Sequence, residues 1–169
     1  VGYNDFDKTK FPAVDTPHGR PCGAYKRSFT VNSDWDGKQV FVHFDGVESA
    51  FQLWVNGKYV GYSEDSKSPA EFNLTKFLQR GENSIALRVF RFCDGSWLED
   101  TDGFNMSGIF RDVWLFATPE VAIRDFFAKS NLDKDYKNAD FSLDVKIKNY
   151  SEKPSGEQNI ICRIAGQDL

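Results

Sequence analysis

The sequence predicts an all-β protein, a jelly-roll β-sandwich followed by the opening strands of a truncated immunoglobulin-like β-sandwich. Three observations carry that prediction. Apolar residues recur with a period of two rather than 3.6 along most of the chain. The alternating runs are short, with turn signals between them about every 8–12 residues. An Asn56-Gly57 pair stands between two such runs, the strongest short-range hairpin signal a sequence offers.

Taken in order, YKRSFTV sets Tyr25, Phe29 and Val31 on one face and Lys26, Ser28 and Thr30 on the other. QVFVHF repeats the pattern with Val40, Val42 and Phe44. AFQLWV aligns Phe51, Leu53 and Val55, and Asn56-Gly57 then turns the chain into KYVGY. Pro69 and Asn73 punctuate the next stretch, and LTKFLQRGEN predicts one short helical turn closed by Gly81. NSIALRVFRF alternates Ile85, Leu87 and Val89 against Ala86, Arg88, Phe90 and Phe92, and GIFRDVWLF alternates Ile109, Val113 and Leu115 against Phe110, Trp114 and Phe116.

A boundary is predicted at Thr118-Pro119, giving domains at 1–118 and 119–169. Three further strand-like segments follow it: VAIRDFFAKSNL, ADFSLDVKIKNY and QNIICRIAG. An immunoglobulin-like sandwich needs about seven strands, so this second unit is incomplete and leaves an open sheet edge. The expectation is that it is partly disordered, pairs with another chain, or packs on the first domain.

Composition narrows the function. The chain has 169 residues, 40% of them hydrophobic, with a net charge of −4. Its basic residues are scattered and form no stripe along which phosphates could lie, which argues against nucleic acid and anionic membranes as partners. No apolar run approaches the roughly 20 residues that span a bilayer. The three cysteines, Cys22, Cys93 and Cys162, are an odd number with no CxxC spacing, which argues against a zinc site or a disulfide framework. The opening VGYNDFDKTKFP resembles the middle of a loop, so an excised fragment is expected, and the compartment is left open.

The chemistry concentrates in residues 94–115, DGSWLEDTDGFNMSGIFRDVWL, with five carboxylates: Asp94, Glu99, Asp100, Asp102 and Asp112. Nucleophilic catalysis finds no support, because His18 lies in a Pro-rich loop, His43 sits mid-strand, and neither Ser28 nor Ser49 has an evident base. An EF-hand starting at Asp100 fails because position twelve is Arg111. A looser oxygen site for Ca²⁺, Mg²⁺ or Na⁺ stays open. Asp100 and Asp102 lie two residues apart and fit the separation of a glycosidase carboxyl pair, but any D-x-D would. Sugar binding fits more of the residues: Trp97 and Phe104 offer flat apolar surface, and Asp94, Asp100, Asp102 and Asn105 offer polar partners for hydroxyls. The alternative is that the aromatics are core and the acids cap turns. Arg111 and Asp112, adjacent on a strand, face opposite sides and do not pair with each other; one of the two is expected at the sandwich rim, held by a carboxylate or a backbone carbonyl.

The stretches WVNGKYVGY, PAEFNL, the GEN turn, DGSWLEDTD and SGIFRDV closely resemble the N-terminal sugar-binding domain of bacterial β-galactosidases of glycoside hydrolase family 2. The resemblance runs from about Gly23 to Pro119. It implies a jelly-roll first domain, an immunoglobulin-like second, and then a (β/α)₈ barrel holding the catalytic glutamates and Mg²⁺ ligands. No catalytic residue is therefore expected in this chain, and the chain alone is expected to be inactive. The resemblance assigns Asp102, the last residue of LEDTD, both to substrate binding and to a Na⁺ shared with the barrel. Glu99 and Asp100 are expected to support its loop. Gly103, Phe104 and Asn105 depart from the bulky residue, Trp and Arg that relatives often carry there. The implied partners are a β-galactoside, the rest of the same chain, and further copies in a homo-oligomer. A stand-alone carbohydrate-binding module and a purely structural scaffold are the alternatives.

Overall fold

The computed structural model describes residues 21–99, 104–164 and 167–168. Among them there is no α-helix. The strands are β1 (Cys22–Thr30), β2 (Gln39–Phe44), β3 (Val47–Glu48), β4 (Ala50–Val55), β5 (Lys58–Glu64), β6 (Ala70–Asn73), β7 (Glu82–Phe90), β8 (Gly108–Ile109), β9 (Val113–Thr118), β10 (Val121–Leu132), β11 (Ala139–Asn149), β12 (Arg163–Ile164) and β13 (Gln167–Asp168). The all-β sandwich class predicted from the sequence is the class observed. Backbone contacts divide the chain into two units, the first ending at Ala117 and the second beginning at Thr118.

The first unit pairs a four-stranded sheet, in the order β1-β7-β4-β5, with a three-stranded sheet, β6-β2-β9. A two-residue ladder joins β3 to β8. Alternation decides which side chains face inward. Val42 and Phe44 of β2, Phe51, Leu53 and Val55 of β4, and Leu87 and Val89 of β7 form the buried core, with Leu74 and Val47. Phe44, Phe51 and Phe72 meet in tilted and edge-on contacts at 4.8–6.3 Å, geometries that aromatic quadrupoles favour. Gly61 of β5 leaves the room this cluster needs, since a Cβ there would stand 2.8 Å from the Phe72 ring.

The β4–β5 connection is the two-residue Asn56-Gly57 hairpin, with both residues at positive φ (51° and 75°), as a type I′ turn requires. The predicted helical turn is a single 3₁₀ turn at Thr75–Phe77. Two more 3₁₀ turns lie at Ser33–Trp35 and Asp94–Trp97.

In the second unit β10 and β11 form a long antiparallel hairpin, with a bulge between Ile123 and Asp125. The third predicted strand, QNIICRIAG, differs. Among its described residues Arg163–Ile164 enters a ladder, pairing with Gln167–Asp168, and residues 154–162 form none.

Candidate functional site

The acidic-aromatic segment leaves β7 and re-enters the sheets at β8, and its described flanks are tied to the sandwich on both sides. Upstream, the 3₁₀ turn Asp94–Trp97 is closed by the buried Ser96, whose Oγ accepts from the Cys93 N–H at 3.0 Å. The Glu99 N–H donates to the Gly95 carbonyl at 3.0 Å. The Glu99 carboxylate turns inward, where Ser66, 3% exposed, donates to it from its N–H at 2.9 Å and also from its hydroxyl.

Downstream, the Glu48 carboxylate, on a residue only 5% exposed, accepts from two successive N–H groups through one oxygen. Met106 lies at 2.6 Å and Ser107 at 3.2 Å. A buried carboxylate is tolerated where charge-assisted hydrogen bonds replace its hydration. Ser107 and Gly108 both take positive φ (55° and 88°), and Gly108 then pairs with Glu48 across the β3–β8 ladder. Any Cβ at Gly108 would lie 2.6 Å from the Tyr25 hydroxyl. Arg111 completes this side: its guanidinium donates to the carbonyls of Asp45 (3.2 Å) and Lys67 (2.9 Å) and lies over the Phe110 ring. Of the two anchors expected at the rim, backbone carbonyls are the ones observed. With Asp45, Pro69 and Asp112 it borders a shallow hollow.

Other residues singled out from the sequence fall as follows. Asp100, Asp102 and Gly103 lie outside the described residues, as does the Trp97 side chain. Phe104 is 89% exposed, so it is no core aromatic. Asp94 is exposed, and its carboxylate, that of Glu64 and the Cys93 thiol lie within 4.8 Å of one another, a mixed set able to meet a divalent cation. Tyr62 donates to Glu64 at 2.8 Å. Burial and this bond raise its hydroxyl pKa well above the ordinary value. His43 lies between Asp45 (3.1 Å) and Glu71 (3.4 Å) and stacks on Trp114. The Ser49 hydroxyl donates to the Phe90 carbonyl, which leaves it occupied in structure. A cleft of about 590 Å³ opens between the sheets along Tyr25, Phe29, Phe44, Leu87 and Trp114. No carboxylate lines it, so it lacks the chemistry of the loop.

Sequence reasoning missed Glu48 and Ser66. A signal for Glu48 was present: in DGVESAFQLWV it is a carboxylate next to the apolar run of a core strand, where a buried acid needs a partner.

Residues 6–119 match the description "Glycosyl hydrolases family 2, sugar binding domain". The chain belongs to that family. It is 54% identical over 132 residues to a β-galactosidase of Priestia megaterium, covering 78% of this chain and 13% of that protein. It is 46% identical over 146 residues to a β-galactosidase of Clostridium acetobutylicum, covering 86% and 16%. A Bacteroides uniformis β-glucuronidase structure superposes with a TM-score of 0.70 at 27% identity, over 77% of this chain and 16% of that one. The chain thus spans about one-eighth to one-sixth of the curated relatives it matches.

Proposed function

We propose that this chain is the non-catalytic N-terminal part of a β-galactosidase, lending a binding loop to the galactoside pocket of a downstream barrel. The observation that supports it most is the match to β-galactosidases at 54% and 46% identity over 132 and 146 residues. The glucuronidase likeness, at 27%, is the weaker guide to substrate. In this reading the acid/base, the nucleophile and the Mg²⁺ ligands belong to the barrel, and the 169-residue chain is inactive alone. Asp102 accepts hydrogen bonds from the galactosyl hydroxyls and serves as a ligand to a Na⁺ shared with the barrel.

The donor set suits such an ion. The segment supplies carboxylate oxygens, the hard ligands that alkali and alkaline-earth cations take, and Glu99 is already occupied by Ser66. When bound, the ion supplies a fixed positive charge beside the sugar oxygens. The loop's own work is to bind and orient. A carboxylate accepting from a sugar hydroxyl contributes about 1.5–3 kcal/mol, roughly a ten- to hundredfold effect on binding or rate.

The test is kcat/KM on o-nitrophenyl β-D-galactoside for the full-length chain and its Asp102→Ala variant, with and without Na⁺. The expected result is a ten- to hundredfold loss together with a weakened response to Na⁺. An unchanged rate would leave the domain a scaffold. A stand-alone binding module instead predicts that the 169-residue chain binds galactose or lactose more tightly than about millimolar, which a direct titration measures.

A further inference from the structure

We propose that the outer face of the β1-β7-β4-β5 sheet binds an acidic oligosaccharide, a chain of pyranose rings that carry carboxylates. Phe51, Leu53 and Val55 of β4 and Leu87 and Val89 of β7 are buried in the core, so the residues that alternate with them face outward. The strand register sets these in two rows across the sheet. Tyr62 stands opposite Gln52, and Gln52 opposite Arg88. In the next row Tyr59 stands opposite Trp54, Trp54 opposite Ala86, and Ala86 opposite Lys26. The aromatic rings therefore gather on β4 and β5 and the two cations on β7 and β1, with neighbouring strands about 4.8 Å apart.

Charge and shape both select the occupant. Lys26 and Arg88 are exposed, and among the described residues neither side chain makes an ion pair or hydrogen bond. They are diagonal neighbours across β1 and β7, about 7–8 Å apart at the backbone, on a chain whose net charge is −4. A guanidinium takes a carboxylate through two parallel hydrogen bonds, and an ammonium adds a point charge beside it. Tyr59 and Tyr62 are 51% and 45% exposed. Trp54 meets Tyr59 at 5.6 Å and 64°, so the two rings offer planes in different directions, and the Tyr62 hydroxyl is fixed by its bond to Glu64. A ring held in place loses little freedom on binding. Neither row holds a Leu, Ile or Val, so a protein's aliphatic core would find no counterpart. A pyranose has an apolar C–H face for the rings and hydroxyls for the Gln52 amide, and its carboxylate reaches the cations. The proposal is independent of the role of Asp102.

The test is isothermal titration of the full-length chain with tetragalacturonate and with its methyl ester, which keeps the rings and removes the charge. The expected result is a Kd of about millimolar or tighter for the acid, with the ester roughly tenfold weaker. Arg88→Ala should weaken the acid about fivefold and Lys26→Ala about threefold, the range of exposed charge pairs. Trp54→Ala should weaken it about tenfold, for roughly 60 Å² of ring no longer covered by sugar. No measurable binding of the acid overturns the proposal, as does equal binding of acid and ester. Full affinity in the Lys26→Ala, Arg88→Ala double variant overturns it as well. Should Trp54→Ala fail to fold, the exposed Tyr59→Ala takes its place, and an unchanged Kd there counts the same way. A changed sedimentation coefficient in Arg88→Ala would give the face to a protein contact and also overturn the proposal.

Discussion

Asn83 is 1% exposed, and its amide is bonded at every position. It donates to the carbonyls of Gln79 and Gly81, both at 3.0 Å, and its Oδ1 accepts from the Gln79 N–H at 2.9 Å and from Asn56 Nδ2 at 2.8 Å. Asn56 in turn donates to the Phe77 carbonyl and accepts from the Ser84 N–H. The two asparagines thus tie the β4–β5 hairpin turn to the loop before β7. Asn83→Ala would leave several of these groups buried and unpaired at about 1–3 kcal/mol each, so a loss of about 3 kcal/mol in chemical denaturation is expected. A loss below about 1 kcal/mol would mean that water or a neighbour replaces the amide. Each asparagine was legible as a turn, Asn56 from Asn-Gly and Asn83 from the GEN stretch. That they would meet was not, because the contact joins residues 27 apart in sequence through the folded sheet.

At the scale of elements, strands were legible wherever one face is buried, because burial imposes the alternation that periodicity detects. QNIICRIAG is strand-like in composition without a clean alternation, and residues 154–162 gain no ladder partner, without which a strand does not exist. The β10–β11 hairpin holds by local pairing. Its turn is organised by Asp133, whose carboxylate accepts from the N–H groups of Asp135, Lys137 and Asn138 and from the Asn138 amide. The Lys137 backbone bond, followed by the Asn138 side chain, holds this carboxyl below its usual pKa. A folded value below the unfolded one, about 3.9, means the stabilisation is complete above the unfolded pKa and is lost as pH falls through the folded one. Amide chemical shifts of Lys137 and Asn138 should therefore hold steady from neutral pH down to about 5 and move only below about 4. Asp133→Ala should abolish that transition. Turn signals that ignore acid would rule this account out.

At the scale of the molecule, the first unit buries a core, and among the described residues of the second no hydrophobic side chain is fully buried. Phe126 and Phe127 are 66% and 56% exposed, and adjacent strand residues face opposite ways, so both faces of the hairpin carry an uncovered aromatic ring. Exposed apolar faces with open strand edges invite association. Sedimentation velocity of the 169-residue chain should show concentration-dependent self-association that Phe126→Lys combined with Phe127→Ser suppresses. Monomers in both would refute it. Of the candidate site, the end of LEDTD lies outside the described residues, and the supports of its described flanks stayed hidden in the sequence because Glu48 and Ser66 are far from those flanks and meet them only through β3–β8 and the loop before β6. Those supports bear on how the full-length protein should respond to its medium. Mobile ions screen exposed charges over a Debye length of about 8 Å at physiological strength but act weakly on buried ones. Glu48 is buried, so ionic strength alone should not loosen its hold on Met106 and Ser107. A response to sodium that choline fails to reproduce would then belong to an ion seated among the loop's oxygens, and not to a loosened frame.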